Sequence, residues 1–156
     1  MIMFKWYRKR QKLILHGKLV LGWREWCDLP VLGLPKIKAK IDSGARTSAL
    51  HAFNIKPFTK DGKPMVGFDV HPIQRNDDYC VHCEAELVDR RLIRSSNGEK
   101  ELRCVIKTPC HIGNRAWNIE LTLTNRASMR FRMLLGREAL RHHAVVDPVV
   151  SFLQGD

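Results

Sequence analysis

The segment KIKAKIDSGARTSALHA, residues 36–52, ends a run of alternating apolar and polar residues at a single aspartate. The alternation over Lys36–Ile41 predicts a β-strand with one buried face and one lysine-bearing face. Asp42 follows at once, and Ser43 and Gly44 are typical of a sharp turn. A lone carboxylate at such a turn either caps it or provides half of a two-carboxylate site, since acid–base hydrolysis needs a proton acceptor and a proton donor.

The same period of two recurs farther along the chain. Alternation predicts three further strands: ELRCVIKT at 101–108, WNIELTLT at 117–124 and FRMLL at 131–135. In the first of these, Leu102, Cys104 and Ile106 are expected to share the apolar face.

Turn-forming residues separate the strand-like runs: DGKP at 61–64, SSNGE at 95–99 and HIGNR at 111–115. Asn97-Gly98 predicts a hairpin, because both residues tolerate the positive φ of a type I′ turn. Only GREALRHH, residues 136–143, has a helical pattern. Many short strands with close turns predict an all-β barrel or sandwich with one short helix.

Composition predicts one domain whose basic surplus raises the rate of encounter with anionic partners. The 156 residues contain no linker rich in Gly, Ser or Pro, so we expect a basic arm at 1–17 and a single domain at 18–156. Lys and Arg outnumber Asp and Glu by 27 to 16, which gives a formal charge of +11. This charge favours encounter with nucleic acid, a membrane surface or acidic peptides.

The start of the chain is basic but has no apolar stretch of signal-peptide type, and no apolar run approaches the roughly 20 residues of a membrane helix. Five cysteines are present: Cys27, Cys80, Cys83, Cys104 and Cys110. Their odd number and the lack of a secretory leader predict reduced thiols, a cytoplasmic location and no membrane partner.

Cys80 and Cys83 have the spacing of a zinc knuckle and are weak metal candidates. A structural zinc site needs a second pair at similarly close spacing, and Cys104 and Cys110 are too far apart in sequence to match it. Because alternation places Cys104 on an apolar face, it is expected to be a small hydrophobic residue. We therefore expect no cofactor, and in particular no zinc.

Several common enzyme motifs are absent from the sequence. There is no HExxH zinc-protease pair, no GxSxG nucleophile elbow, no P-loop and no GxGxxG.

Three separate motifs carry a resemblance to a known family. They are the strand that ends in DSG at 42–44, the glycine-tipped hairpin at 95–98, and LLG at 134–136 before the helix. Together they resemble the subunit of a retropepsin-type aspartic protease. Residues 20–153 are similar to a bacterial retropepsin-like family that carries the name ATP-dependent zinc protease. The resemblance implies an all-β, closed acid-protease-type barrel with one short C-terminal helix.

The resemblance also implies roles for individual residues. Asp42 would be the catalytic carboxylate. The active-site loop would be formed and supported by Ser43, Gly44, Ala45, Leu134, Leu135 and Gly136. The flap that closes over substrate would be Ser95, Ser96, Asn97 and Gly98.

One Asp-Ser-Gly per chain implies a homodimer, because the pair of carboxylates must then come from two subunits around a two-fold axis. Two carboxylates in contact share one proton, as is established for aspartic proteases as a class. The charged member would take a proton from water while the protonated member donates to the scissile carbonyl. Ser43 would bind across to the partner loop.

Two positions depart from the expected pattern or complicate it. Ser43 stands where Thr is usual, which retains the hydroxyl but loses a methyl, so a weaker dimer is expected. The guanidinium of Arg46, if close to the carboxylates, would favour their charged forms.

Members of the family often accompany ATP-grasp ligases that add glutamate to proteins. The resemblance therefore implies acidic or glutamylated peptides as substrate and a functional link to such a ligase, in agreement with the +11 charge. Two alternatives stay open: a non-catalytic retropepsin-like module that binds an anionic partner, and a zinc-dependent protease.

Overall fold

A computed structural model of the chain describes residues 14–74, 76–95, 97–125 and 130–155. These residues form twelve β-strands, one α-helix and one 3-10 helix. The strands are β1 Ile14–Leu15, β2 Lys18–Leu21, β3 Arg24–Leu29, β4 Leu34–Ile41, β5 Ser48–His51, β6 Phe53–Lys60, β7 Lys63–Val70, β8 Val81–Arg94, β9 Lys100–Ile112, β10 Arg115–Thr124, β11 Met133–Leu135 and β12 Ala144–Val146. The α-helix, α1, spans Arg137–Leu140, and the 3-10 helix spans Pro30–Leu32.

Six of the strands close into a barrel. The order is β10-β5-β11-β4-β3-β9, and β9 pairs again with β10 to complete the ring. Hydrogen bonding is antiparallel between β9 and β10 and parallel in the β10–β5 and β11–β4 pairs. The predicted all-β closed barrel with one short helix is confirmed.

The apolar faces predicted from alternation form the barrel core. In β4, Ile37, Ala39 and Ile41 are buried, and in β10 the same is true of Trp117 and Ile119. Full burial of one aliphatic side chain stabilises the fold by about 1.5–3 kcal/mol. The alternation therefore both forms the strands and fixes which face of each one lies inside.

A buried carboxylate joins the C-terminal segment to the barrel. Glu25, in β3, is 0% exposed. Its Oε2 accepts the N–H groups of Gly22 at 2.6 Å and Leu153 at 2.9 Å, and its Oε1 accepts the N–H of Gln154 at 3.1 Å. Burial raises the pKa of Glu25, although the three backbone donors act in the opposite direction.

The strands β6, β7 and β8 extend the sheet outward from β9. Strand β9 pairs with β10 as far as Val105, and residues 100–104 pair only with β8. The prediction that Leu102 lies on a buried apolar face is wrong: Leu102 is 64% exposed and Arg103 is 5% exposed. The reason is that this part of β9 has left the barrel wall and projects as one arm of a hairpin.

The helix α1 is shorter than the predicted 136–143. Arg141 has an extended ψ of 132°, and His142 has a φ of +68°, so the helical backbone ends after Leu140. The indole N–H of Trp117 donates to the carbonyl of Ala139 at 2.9 Å, which fixes the helix against β10.

At the N-terminal end, Ile14–Leu15 pairs with β2, and β2 pairs in parallel with β12. Residues 1–13 of the predicted basic arm lie outside the described residues, and its boundary at 17 stays a prediction. Among the described residues, no helix combines the length and the apolar character that crossing a bilayer requires.

Candidate active site

Asp42 lies directly after β4, at the start of the turn that leads into β5. Its N–H donates to the carbonyl of Leu135 at 2.8 Å. Its Oδ1 accepts the N–H groups of Gly44 at 3.1 Å and Ala45 at 3.2 Å. Its Oδ2 has no hydrogen-bond partner among the residues that the structure describes. One oxygen of the half-buried carboxylate therefore fixes the turn, and the other is free of protein partners among the described residues.

Behind this turn, β11 lies parallel to β4, with Leu135 opposite Ile41. The next residue, Gly136, is packed so closely that a Cβ there would lie 2.7 Å from the carbonyl carbon and oxygen of Thr47. Its N–H donates to Ser48 Oγ at 3.0 Å. The structure thus brings the DSG turn and the LLG segment into direct contact.

Arg137, which the sequence analysis did not single out, also holds the loop. Its N–H donates to the carbonyl of Ala45 at 2.7 Å, and its Nη1 donates to the carbonyl of Ser43 at 3.0 Å. The sequence did offer a signal for this role, because Arg137 comes directly after LLG and begins the helix. Donor groups there are free to bind the carbonyls of a preceding loop.

Ser43 and Gly44 are exposed at the outer edge of the turn. The side chain of Arg46 is also exposed, and its Nε lies 3.5 Å from Glu138 Oε1. Within the subunit, the Arg46 guanidinium is therefore paired with Glu138, which offsets its charge.

A cleft of about 1460 Å³ opens beside Asp42. The loop at 42–47 forms one wall, and residues 91–95 of the projecting hairpin form another. Six basic side chains and three carboxylates line this cleft: Lys40, Arg46, Arg91, Arg94, Arg103 and Arg130, with Asp42, Glu120 and Glu138. The cleft lining therefore has a basic surplus.

The predicted flap lies at the tip of the β8–β9 hairpin. The N–H of Ser95 donates to the carbonyl of Glu99 at 2.8 Å, and Gly98 has a φ of +85°. Three residues lie between Ser95 and Glu99, so the turn is longer than the two-residue type I′ turn that Asn97-Gly98 predicted. Ser95 lines the cleft, Asn97 and Gly98 are exposed, and Ser96 lies outside the described residues.

A polar network crosses from the hairpin to the barrel wall where β9 leaves β10. Arg103 Nε donates to Glu101 Oε2 at 3.0 Å, and its Nη1 donates to Thr122 Oγ1 at 3.3 Å. Thr122 Oγ1 donates in turn to the carbonyl of Ser48 at 2.9 Å, and Thr124 Oγ1 donates to Glu101 at 3.0 Å. The alternation in 101–108 did not predict this network, because it assigned Arg103 to the solvent face.

The cysteines with zinc-knuckle spacing are not equivalent. Cys80 is exposed, whereas Cys83 is buried with its Sγ 3.4 Å from the carbonyl oxygen of Leu32. Burial raises the pKa of the Cys83 thiol to about 12, which disfavours the thiolate that zinc binding requires. In the described ranges, His, Cys, Asp and Glu side chains form no group of three arranged to hold a metal ion. These residues do not fit a zinc site.

A second pair of thiols lies in the barrel wall. Cys27 Sγ and Cys110 Sγ are 2.8 Å apart, and both residues are buried. The hydrogen bond with Cys110 and burial raise the pKa of Cys27 well above its usual value. These thiols belong to the packed core and lie apart from the residues that line the cleft.

Residues 20–156 match the sequence model of the RimB-like family, described as retropepsin-like aspartic endopeptidase RimB. Proteins named probable alpha-L-glutamate ligase from Shewanella pealeana and Desulfotalea psychrophila are 54% and 46% identical to this chain over 140 residues. Each alignment covers 90% of this chain but only 31% and 30% of those proteins. The chain spans about a third of the length of these relatives.

A solved structure has the same fold over nearly its full length. It is a Legionella pneumophila protein of unknown function, Lpg0085, with a TM-score of 0.70 and 29% sequence identity. The match covers 86% of this chain and 97% of that one. The closed barrel, the DSG turn packed on LLG and the match over 20–156 agree, and the chain belongs to the RimB-like family of retropepsin-like aspartic endopeptidases.

Proposed function

We propose that the protein is an aspartic-type peptidase that is active as a homodimer, with one Asp42 from each subunit. The observation that carries this proposal is the geometry of Asp42. Two backbone N–H groups hold its Oδ1, while its Oδ2 has no partner among the described residues, beside a cleft of about 1460 Å³. Membership of the retropepsin-like family supports it.

In the dimer, the two Asp42 carboxylates would share one proton, because two adjacent negative charges cannot both be stable. The charged member removes a proton from a water molecule as the water oxygen attacks the peptide carbonyl carbon. The protonated member donates its proton to the carbonyl oxygen. The resulting diol collapses with transfer of a proton to the leaving amine, and the two apparent pKa values belong to the pair.

The exposed edge of the turn supports assembly through this face. Ser43 and Gly44 are exposed in the single subunit, so they are accessible to a second copy. Arg137 and Gly136 fix the backbone behind them, which lowers the entropy cost of docking because the loop is already ordered.

We propose acidic or glutamylated peptides as substrates. Arg94 and Arg130 line the cleft and have no ion-pair partner among the described residues. Unpaired cations that line a cleft raise the local concentration of an anionic peptide. The relatives named alpha-L-glutamate ligase contain a region like this chain, which supports a functional link to glutamate addition.

The hairpin tip at Ser95–Gly98 would be the flap. Ser95 lines the cleft, and Asn97 and Gly98 are exposed, so closure over a bound peptide would exclude water from the carboxylate pair.

The test uses purified Asp42→Asn protein and glutamate-rich peptides, with cleavage followed by mass spectrometry. Loss of the acid–base pair should reduce the rate by at least about a hundredfold. Asp61→Asn is the matched control, since Asp61 lies in the exposed β6–β7 turn and Asn tolerates its φ of +50°. Undiminished cleavage by the Asp42→Asn protein would overturn the proposal.

Two further measurements separate the alternatives. Binding of acidic peptides without cleavage by the wild-type protein would indicate a binding module, and loss of activity with a chelator would indicate a zinc protease. Analytical ultracentrifugation with and without peptide tests the assembly. A protein that cleaves peptides while strictly monomeric would contradict the homodimeric mechanism.

A further inference from the structure

We propose that Arg103 is the specificity-determining residue of the cleft and binds an acidic side chain of the peptide. This inference rests on the proposed function, because it assumes that a peptide occupies the cleft beside Asp42. It goes beyond that function by assigning recognition to one guanidinium on the inner side of the β8–β9 hairpin.

Arg103 is 5% exposed and yet lines the cleft. Glu101 accepts from its Nε and Thr122 accepts from its Nη1. Its Nη2 has no hydrogen-bond partner among the residues described. The guanidinium is thus held on two edges, and the third nitrogen is the one left for a ligand.

The supports of Arg103 are themselves fixed. Thr124 Oγ1 donates to Glu101, and Thr122 Oγ1 donates to the carbonyl of Ser48. A guanidinium held in one orientation loses little entropy when it binds a planar carboxylate. Its burial also strengthens a charge-assisted hydrogen bond relative to one formed in water.

Arg91 provides the comparison within the same hairpin. Arg91 and Arg103 lie directly opposite each other in the β8–β9 ladder, and both line the cleft. Arg91 is half-buried, and its three guanidinium nitrogens are occupied: Nε by Asp89, and Nη1 and Nη2 by the two oxygens of Glu120. Of these two arginines, Arg103 is the buried one, and it alone has a guanidinium nitrogen with no hydrogen-bond partner among the described residues.

Like charges directly opposite each other in a ladder destabilise a sheet. Here Asp89 and Glu120 offset the charge of Arg91, and Glu101 offsets that of Arg103. A neutral side chain at position 103 would have avoided the repulsion. A buried, oriented guanidinium in the wall of the cleft is explained if it binds an anion there.

The test measures binding and not catalysis, in the Asp42→Asn background so that the peptide is not cleaved. Fluorescence anisotropy compares a labelled glutamate-containing peptide with its glutamine counterpart. The Asp42→Asn protein is expected to favour the glutamate peptide by about tenfold, as for a hydrogen bond to a charged group. Arg103→Met should remove that preference, and Arg91→Met should retain it.

Arg103→Lys keeps the charge but loses the planar fork, so it should retain only part of the preference. If circular dichroism shows that Arg103→Met does not fold, the glutamate preference of Arg103→Lys is the test of the inference. An unchanged preference in Arg103→Lys, or equal losses in Arg103→Met and Arg91→Met, would overturn the inference in favour of general charge attraction. Absence of any binding to glutamate peptides would overturn it as well.

Failure of this inference is distinguishable from failure of the proposed function. Arg103-dependent binding with no cleavage by the wild-type protein would support the subsite and contradict the peptidase. Cleavage that depends on Asp42 but is indifferent to Arg103 would support the peptidase and contradict the subsite.

Discussion

Asp42 and Glu25 are two carboxylates that both accept backbone N–H groups, but one lies beside the cleft and the other is buried in the barrel. Each accepts backbone N–H groups and so fixes a turn or a chain crossing. Glu25 is fully buried, and both of its oxygens are occupied. Asp42 is half-buried beside the cleft, and only its Oδ1 is occupied within the described residues. Glu25 is therefore saturated with backbone donors, whereas Asp42 keeps one oxygen without a partner among the described residues, as the proposed catalytic role requires.

The largest expected effect separates activity from stability at Asp42. Asp42→Asn should lower peptide cleavage by at least about a hundredfold, yet shift the thermal midpoint by only a few degrees. The Asn side-chain oxygen can still accept from Gly44 and Ala45, so the turn persists. Parallel rate and calorimetry measurements check this. A collapse of stability would mean that Asp42 is a structural carboxylate like Glu25.

At Glu25 the opposite result is expected. Glu25→Gln keeps the volume but replaces one acceptor oxygen by an NH2 group that faces backbone donors, which should lower the free energy of unfolding by about 2–3 kcal/mol. Urea unfolding measures the loss. Asp28→Asn in the same strand is a suitable control, because within the described residues its side chain accepts a single, exposed hydrogen bond, from the Lys36 N–H. Equal losses in the two variants would contradict a special role for Glu25.

Gly136→Ala tests the packing that positions Asp42. The added Cβ would meet the Thr47 carbonyl at 2.7 Å, which backbone movement alone can relieve, so we expect a loss of about 1–2 kcal/mol and reduced cleavage. Gly67→Ala is the matched control, since its Cβ would meet only side-chain atoms at 3.6 Å or more. If Gly67→Ala lost as much stability as Gly136→Ala, any added methyl group would be destabilising, and the close packing at Gly136 would have no special role.

The comparison also shows what the sequence could and could not predict. The strand before Asp42 was predictable, because the alternation over Lys36–Ile41 is a local pattern that burial enforces. The role of Glu25 was not predictable, since its donors at Leu153 and Gln154 are more than a hundred residues away. Hydrogen bonds between distant segments leave no periodic signal.

The polar network at Arg103 was missed for a different reason. Alternation predicts which residues share a face, but not which side of the sheet is buried once a strand leaves the barrel. Over residues 100–104, β9 pairs only with β8, and there the face with Arg103 is buried while the face with Leu102 is exposed. Arg103 lines the cleft where this reversal occurs, so the local pattern assigned it to the wrong face.

A smaller effect concerns the pH dependence of stability. Because burial raises the pKa of Glu25 in the folded protein, its contribution to stability is fully present below the pKa of an unfolded glutamate, and part of it is lost as the pH rises through the folded value. The measurement is urea unfolding at several pH values. Glu25→Gln should flatten this part of the curve, and an unchanged slope would contradict the assignment.

The smallest effect is expected at Asp69, a carboxylate paired with a side chain. Asp69 Oδ1 lies 2.7 Å from His82 Nδ1, and Asp69 Oδ2 accepts from the side-chain amide of Asn54 at 2.9 Å. The hydrogen bond with Asp69 raises the pKa of His82, so the pair stabilises the fold below the pKa of an unfolded histidine and loses that contribution as the pH rises through the folded value.

Asp69→Asn should therefore lower the pKa of His82, as followed by NMR titration of its ring protons, with little change in stability because His82 is exposed. Asp61→Asn, in the exposed β6–β7 turn, is the control variant and should leave the pKa of His82 unchanged. A His82 pKa that does not fall would mean that the carboxylate does not stabilise the imidazolium. The contrast among Asp42, Glu25 and Asp69 would then depend on backbone donors alone.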